Sequence, residues 1–265
     1  MTPLQISRRM ALRMAAGLTI GFSPSLDAPL RGEEETTAQA ATSGFALIEL
    51  FTSEGCNSCP SADQNLARVN LIAQQQKLPI YTLSFHVDYW NYLGWEDPFS
   101  DAAFSQRQRI YAQAFNADRV YTPQMIVNGR VEFVGSNQAT TDRAIDAGLR
   151  SQPITQLKVN VTSQANMAQV TWRGTDLAEH DSLQLALVQK RASRQVDAGE
   201  NKGRTLSHVN VVRKLQMIQS PAAVGQAKLE LPPQVDPADY HLTALVQSRT
   251  DQKIRFAAQA EFAAS

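Results

Sequence analysis

Cysteine is nearly absent: the 265 residues contain two. Two cysteines cannot build a multi-bridge disulfide framework, and they cannot complete a four-cysteine zinc site. Excess charge is absent as well, since 25 Lys and Arg balance 25 Asp and Glu. No global field therefore recruits nucleic acid or an anionic membrane. Long apolar runs are also missing, and the modestly apolar stretch Met14 to Phe22 is too short for a bilayer core that needs about 20 residues. Histidine occurs four times, and His180, His208 and His241 have no partner at ligand spacing, so each reads as structural or surface. No internal repeat is visible.

The first forty residues read as an address rather than a fold. Ser7-Arg8-Arg9-Met10-Ala11-Leu12-Arg13 resembles a twin-arginine export motif, and Ala38-Gln39-Ala40 supplies an A-x-A cleavage site. A mature chain starting near Ala41 would be periplasmic or secreted and would keep no stable membrane span; a Sec signal or an uncleaved anchor are the alternatives. Outside the cytosol a dithiol meets an oxidising environment.

Both cysteines lie in Gly55-Cys56-Asn57-Ser58-Cys59, after the apolar run Phe45–Phe51 and before a helical pattern opened by Pro60. Two thiols three residues apart at a helix start can close a small disulfide, and the free N–H groups and dipole of the helix favour a thiolate on the first. Cys56 is the candidate nucleophile and Cys59 the resolving thiol. The same pair, with His86, could instead hold copper(I) or zinc, since soft thiolates suit those ions.

Length alone allows one or two domains. From Phe45 to about Leu149, strand-like and helix-like blocks alternate, and Asn128-Gly129 marks a hairpin turn. From Ile154 onward seven short alternating runs suggest a β-sandwich. The expected division is a leader at 1–40, an α/β domain at 41–152 and an all-β sandwich-like domain at 153–265.

The block order, the dithiol after the first strand and Tyr121-Thr122-Pro123 before the hairpin together resemble the thioredoxin fold. That resemblance implies a cis-proline loop in which Thr122 and Pro123 align a substrate chain beside the dithiol. The segments Glu49–Pro60, His86–Pro98, Tyr121–Met125 and Gly199–Leu206 are similar to an exported bacterial family, the domain of unknown function numbered 1223, which implies a thioredoxin-like domain but supplies no substrate.

Glu49, seven residues before Cys56, resembles the buried carboxylate that serves thioredoxins as proton acceptor; pointing outward from an edge strand or pairing with an arginine are the alternatives. His86 could act as a base or bias Cys56 toward thiolate, with Asp88 orienting it, or be hydrogen-bonded in a packed turn. Trp90 and Trp95 could line a substrate groove or fill the interface with the second domain. The Glu200-Asn201-Lys202-Gly203-Arg204 turn could reach over the first domain, but charged residues with glycine read first as a solvated loop. The functional expectation is an exported thiol–disulfide oxidoreductase of moderate potential, without organic cofactor, acting on thiol- or disulfide-containing proteins or small thiols. A copper or zinc module and a non-catalytic binding protein are the alternatives.

Overall fold

Period-two alternation makes the outer strands, which bury one face, while the central strands are buried on both. The computed structural model describes residues 44–152, 156–233 and 235–262; the leader and the residues at the expected domain boundary lie outside them. The elements in chain order are β1 (Ala46–Thr52), α1 (Pro60–Gln76), β2 (Ile80–His86), α2 (Ala102–Ala114), β3 (Gln124–Val127), β4 (Val131–Val134) and α3 (Gln138–Arg150). They continue as β5 (Gln156–Gln164), β6 (Met167–Thr175), β7 (Asp181–Gln195), β8 (Thr205–Gln219), β9 (Val224–Glu230), β10 (Tyr240–Ser248) and β11 (Ile254–Glu261).

The expected thioredoxin-like domain followed by a separate sandwich does not form. The described residues are mostly β, and one eight-stranded mixed sheet of order β11-β10-β7-β8-β2-β1-β3-β4 takes strands from both halves of the chain. The junction is a parallel pairing of β2 with β8, at Ser84 and Val211. A second, three-stranded sheet, β5-β6-β9, completes the strands. Local alternation marks where a strand lies but not which distant strand it joins, and this is why the halves looked separable. Thr42–Ser265 clusters as one compact unit.

Odd positions of β1 (Leu47, Phe51) face Phe104 and Tyr111 of α2, in a core that also takes Ala186 and Val188 of β7, Val212 of β8 and Leu245 of β10. Even positions (Ala46, Ile48, Leu50) face Ala62, Leu66, Val69 and Ala73 of α1. The other face of β7 and β10 (Leu183, Leu185, Leu187, Leu242, Ala244, Val246) packs on the three-stranded sheet through Val159, Val170 and Trp172. Strands β7 and β10 thus serve two cores at once. The β3–β4 hairpin turns at Asn128 and Gly129, with φ of 52° and 61°, the left-handed pair a two-residue turn requires. Asn128 also ties β1 down, accepting from Leu47 N at 2.6 Å and donating to Phe45 O at 2.9 Å.

Candidate functional site

The two cysteines sit where β1 hands over to α1. Cys56 N donates to Ser53 O, Cys59 N donates to Cys56 O, and Cys59 O accepts from Ala62 and Asp63 in the first turn of the helix. Both are free thiols, with Cys56 1% and Cys59 0% exposed.

Their environments differ in sign. Ser58 Oγ lies 3.3 Å from the Cys56 sulfur, and Thr122 Oγ1 donates to it at 3.5 Å. Thr122 in turn accepts from Trp90 Nε1 at 2.7 Å, so Trp90, Thr122 and Cys56 form one chain of donors. A hydrogen bond from Cys59, together with those from Ser58 and Thr122, outweighs burial and brings the Cys56 thiol down from 9.0 to about 6. Burial, the adjoining Cys56 and the Asp63 carboxylate push Cys59 well above the ordinary range. The Thr122–Pro123 peptide bond is cis.

Behind Cys59 lies a buried polar cluster whose members come from four parts of the chain. Strand β2 alternates Thr82, Ser84 and His86 with Leu83 and Phe85, and of these only Leu83 and Phe85, with Val87 just past the strand, enter the apolar core. The polar row faces α1 and β8: Thr82 Oγ1 accepts from Asn210 of β8 at 2.7 Å. His86 Nδ1 is 2.7 Å from Asp97 Oδ2, an oxygen that also accepts from Glu54 N at 2.8 Å. Burial alone would lower the His86 pKa, but the Asp97 carboxylate carries it above its ordinary value, and His86 in return holds Asp97 below its own against burial.

The His86 and His208 rings meet edge-on, 4.7 Å between centroids. His208 Nε2 lies 3.2 Å from Glu54 Oε1, and its Nδ1 lies 3.7 Å from Asp63 Oδ2. Glu54 is anchored on its other oxygen by Trp95 Nε1 at 2.9 Å. Asp63, one helical turn beyond Cys59, is buried, and its Oδ1 has no hydrogen-bond partner. Burial raises its pKa despite the two histidines.

Other expected site residues land elsewhere. Glu49 is an odd residue of β1 and therefore points to α2, away from the α1 face. Arg107 Nε donates to it at 2.6 Å, and Tyr111 OH donates to its other oxygen at 2.5 Å. This is the arginine pairing, not a proton acceptor for the dithiol. Asp88 accepts from Ser105 Oγ rather than orienting His86, a role that belongs to Asp97. Trp90 and Trp95 are held by their indole N–H groups as parts of the site scaffold. Among the described residues no three His, Cys, Asp or Glu side chains are grouped to hold a metal ion, so Cys56, Cys59 and His86 do not form a ligand set.

The turn expected to be solvated closes on the dithiol loop instead. Asn201, fully buried, donates to Glu54 O at 2.8 Å and Cys56 O at 2.9 Å. Glu200 Oε2 accepts from Asn57 N at 2.9 Å. Gly199 adopts φ +73°, and a Cβ there would meet Trp95 Cβ at 3.5 Å and Gly55 Cα at 3.7 Å. Asp63 goes unread in the sequence, Asp97 has no role there, and His208 reads as structural or surface; the polar row Thr82, Ser84, His86 on an otherwise apolar strand is the available signal.

The family model described as Protein of unknown function (DUF1223) matches residues 47–247. No curated protein matches the chain. Among solved structures, a structural-genomics crystal structure from Agrobacterium tumefaciens is 26% identical, covers 81% of this chain and 92% of its own, and superposes with a TM-score of 0.59. A domain of the outer membrane lipoprotein Omp28 from Porphyromonas gingivalis covers 42% of this chain and 90% of its own at 12% identity and a TM-score of 0.27. None of these matches carries a thioredoxin-like assignment.

Proposed function

The chain belongs to the DUF1223 family of proteins of unknown function, and on that premise, which supplies kinship but no reaction, we propose that it is an exported thiol–disulfide oxidoreductase. One observation carries the reading: two adjacent thiols are placed in opposite electrostatic settings, Cys56 among donors and Cys59 beside a buried carboxylate. The thiolate is the attacking species in disulfide exchange, and a pair needs one sulfur ionised and the other protonated at rest.

In the oxidising direction of the dithiol, the Cys56 thiolate attacks one sulfur of a disulfide RS–SR. The RS–SR bond breaks, a Cys56–SR bond forms, and RS⁻ leaves. Cys59 then gives up its proton and attacks the Cys56 sulfur, releasing the second RS⁻ and closing Cys56–Cys59. Two electrons pass from the dithiol to the substrate, which becomes two thiols. Asp63 takes the Cys59 proton in this reading: it lies one turn along the same helix face and is buried with an oxygen that has no hydrogen-bond partner, and burial raises its affinity for a proton. Thr122 orients the Cys56 sulfur and Trp90 holds Thr122. Substrates are thiol- or disulfide-containing proteins or small thiols, met after export.

The test is trapping. Cys59→Ser treated with oxidised glutathione should retain one glutathione on Cys56, read by mass spectrometry of the intact protein, while the unsubstituted chain should release both halves. Disulfide exchange by Cys56→Ser at the rate of the unsubstituted chain would sink the reading.

A further inference from the structure

Away from the dithiol, a buried histidine has nothing in the chain to bond to. His241 lies on β10 between Val188 of β7 and Glu261 of β11 and is 2% exposed. Among the described residues neither of its ring nitrogens has a hydrogen-bond partner, and only Nε2 is closed off from solvent. Nδ1 therefore opens on the cleft of about 320 Å³ that His241 lines. Unpaired buried polar groups cost stability, so a ring placed this way calls for a partner from outside the chain. We propose that this cleft binds a small carboxylate carrying a short aliphatic tail.

The charges that line the cleft fix the sign of the ligand. Lys190 and Arg191 stand against the single carboxylate of Glu261, a balance that suits a monoanion and opposes a metal ion or an amine. Glu261 is already satisfied: Lys190 Nζ lies 2.7 Å from its Oε2, and Gln259 Nε2 donates to its Oε1 at 2.9 Å. Lys190 also donates to Ala238 O at 2.7 Å, which leaves one of the three ammonium N–H groups unspent. The Arg191 guanidinium is exposed and has no partner among the described residues. The Tyr81 hydroxyl has none either, and burial raises its pKa, which keeps it a donor. Burial brings His241 down to about 4, with Glu261 opposing and Lys190 assisting, so the ring is neutral near pH 7. A neutral imidazole carries one N–H, and a carboxylate in the cleft selects the tautomer that has it on Nδ1.

Size and lining fix the rest. Ala73, Leu78 and Ile80 give the cleft an apolar side, against which a bare anion would make no use of the available area. The volume lies at the lower end of the range for ligand pockets, ~300–1,000 Å³, so the tail is short. Gln74, which lines the cleft near the end of α1, stands ~22 Å along the helix axis from Cys59. The site is therefore separate from the dithiol and does not rest on the oxidoreductase reading.

The experiment titrates the protein with hexanoate and follows the imidazole resonances of its four histidines by NMR. His241 alone should shift, saturably, with a dissociation constant on the order of 1 mM, the scale that a ligand of about eight heavy atoms supports. Acetate, which lacks the tail, and hexylamine, which reverses the charge, should each bind tenfold more weakly or worse. Arg191→Gln keeps the reporting ring in place and should weaken hexanoate about tenfold, as loss of a charged donor to a carboxylate does; Tyr81→Phe should weaken it a few-fold. No saturable shift of His241, equal affinity for acetate or hexylamine, or full affinity in Arg191→Gln overturns the site. The readout does not involve the sulfurs, so failure here and failure of the glutathione trapping are seen separately.

Discussion

A thiolate persists at Cys56 only because donors surround it, and each donor is a side chain that can be removed. Iodoacetamide should alkylate Cys56 at a rate that falls as pH drops through about 6. Thr122→Val removes one donor, whose net worth is about 1 kcal/mol, so the alkylation midpoint should move up and the rate at pH 6 should fall a few-fold; an unmoved midpoint would exclude Thr122 from the thiolate's support. Asp63 behaves in the opposite sense. Its folded pKa is raised by burial, so the folded state binds the proton more tightly than the unfolded chain, and the contribution of Asp63 to stability falls as pH rises from the ordinary carboxylate value through the raised one. Asp63→Asn should therefore make the protein more resistant to urea at pH 8 than the unsubstituted chain, with little difference at pH 4, while slowing closure of the Cys56–Cys59 disulfide. At this scale the dithiol was legible, because Cys-x-x-Cys spacing is self-announcing. Asp63 and His208 were not, because a lone acid in a helix and a lone histidine in a strand acquire meaning only from what the fold sets beside them.

Among the elements, β1 shows how a single parity decides a residue's role. Glu49 shares the odd face with Leu47 and Phe51, and this face meets α2, so the carboxylate belongs to Arg107, Tyr111 and, through Arg107, to Gln184 and Gln247. Removing one member of a buried pair strands the other. Arg107→Met should cost about 3–5 kcal/mol in urea unfolding, the double variant Glu49→Leu/Arg107→Met should recover most of it, and neither should shift the alkylation midpoint of Cys56. A shift in that midpoint would return Glu49 to the site. The strands and helices themselves were readable from period and punctuation: the helix opened by Pro60 and the Asn128-Gly129 turn are where the pattern put them. Distant pairing was not readable, since Ser84 opposite Val211 is encoded in neither neighbourhood.

For the whole molecule, that pairing joins the two halves of the chain through one sheet and one core. Phe85 and Phe104 from the first half share a cluster with Val188, Val212, Leu245 and Ile254 from the second, and Arg107 is hydrogen-bonded to both. A fragment spanning residues 41–152 would expose the β2 edge and half of that core. It should fail to give a cooperative urea transition and should bind a hydrophobic dye, whereas 41–265 should unfold in one step; a cooperative fragment would show that the first half carries its own core.

The grip of Asn201 on the carbonyls of Glu54 and Cys56 ties reactivity to breathing. A sulfur only 1% exposed meets a bulky reagent during excursions in which the β7–β8 tip lets go, so the encounter rate is the intrinsic rate scaled by how often the tip is open. Loosening the tip with Asn201→Ala should quicken modification by large maleimides far more than by iodoacetamide, and amide exchange at 196–204 should accelerate in step. The tip of a hairpin from the far half of the chain would then set the clock for the dithiol.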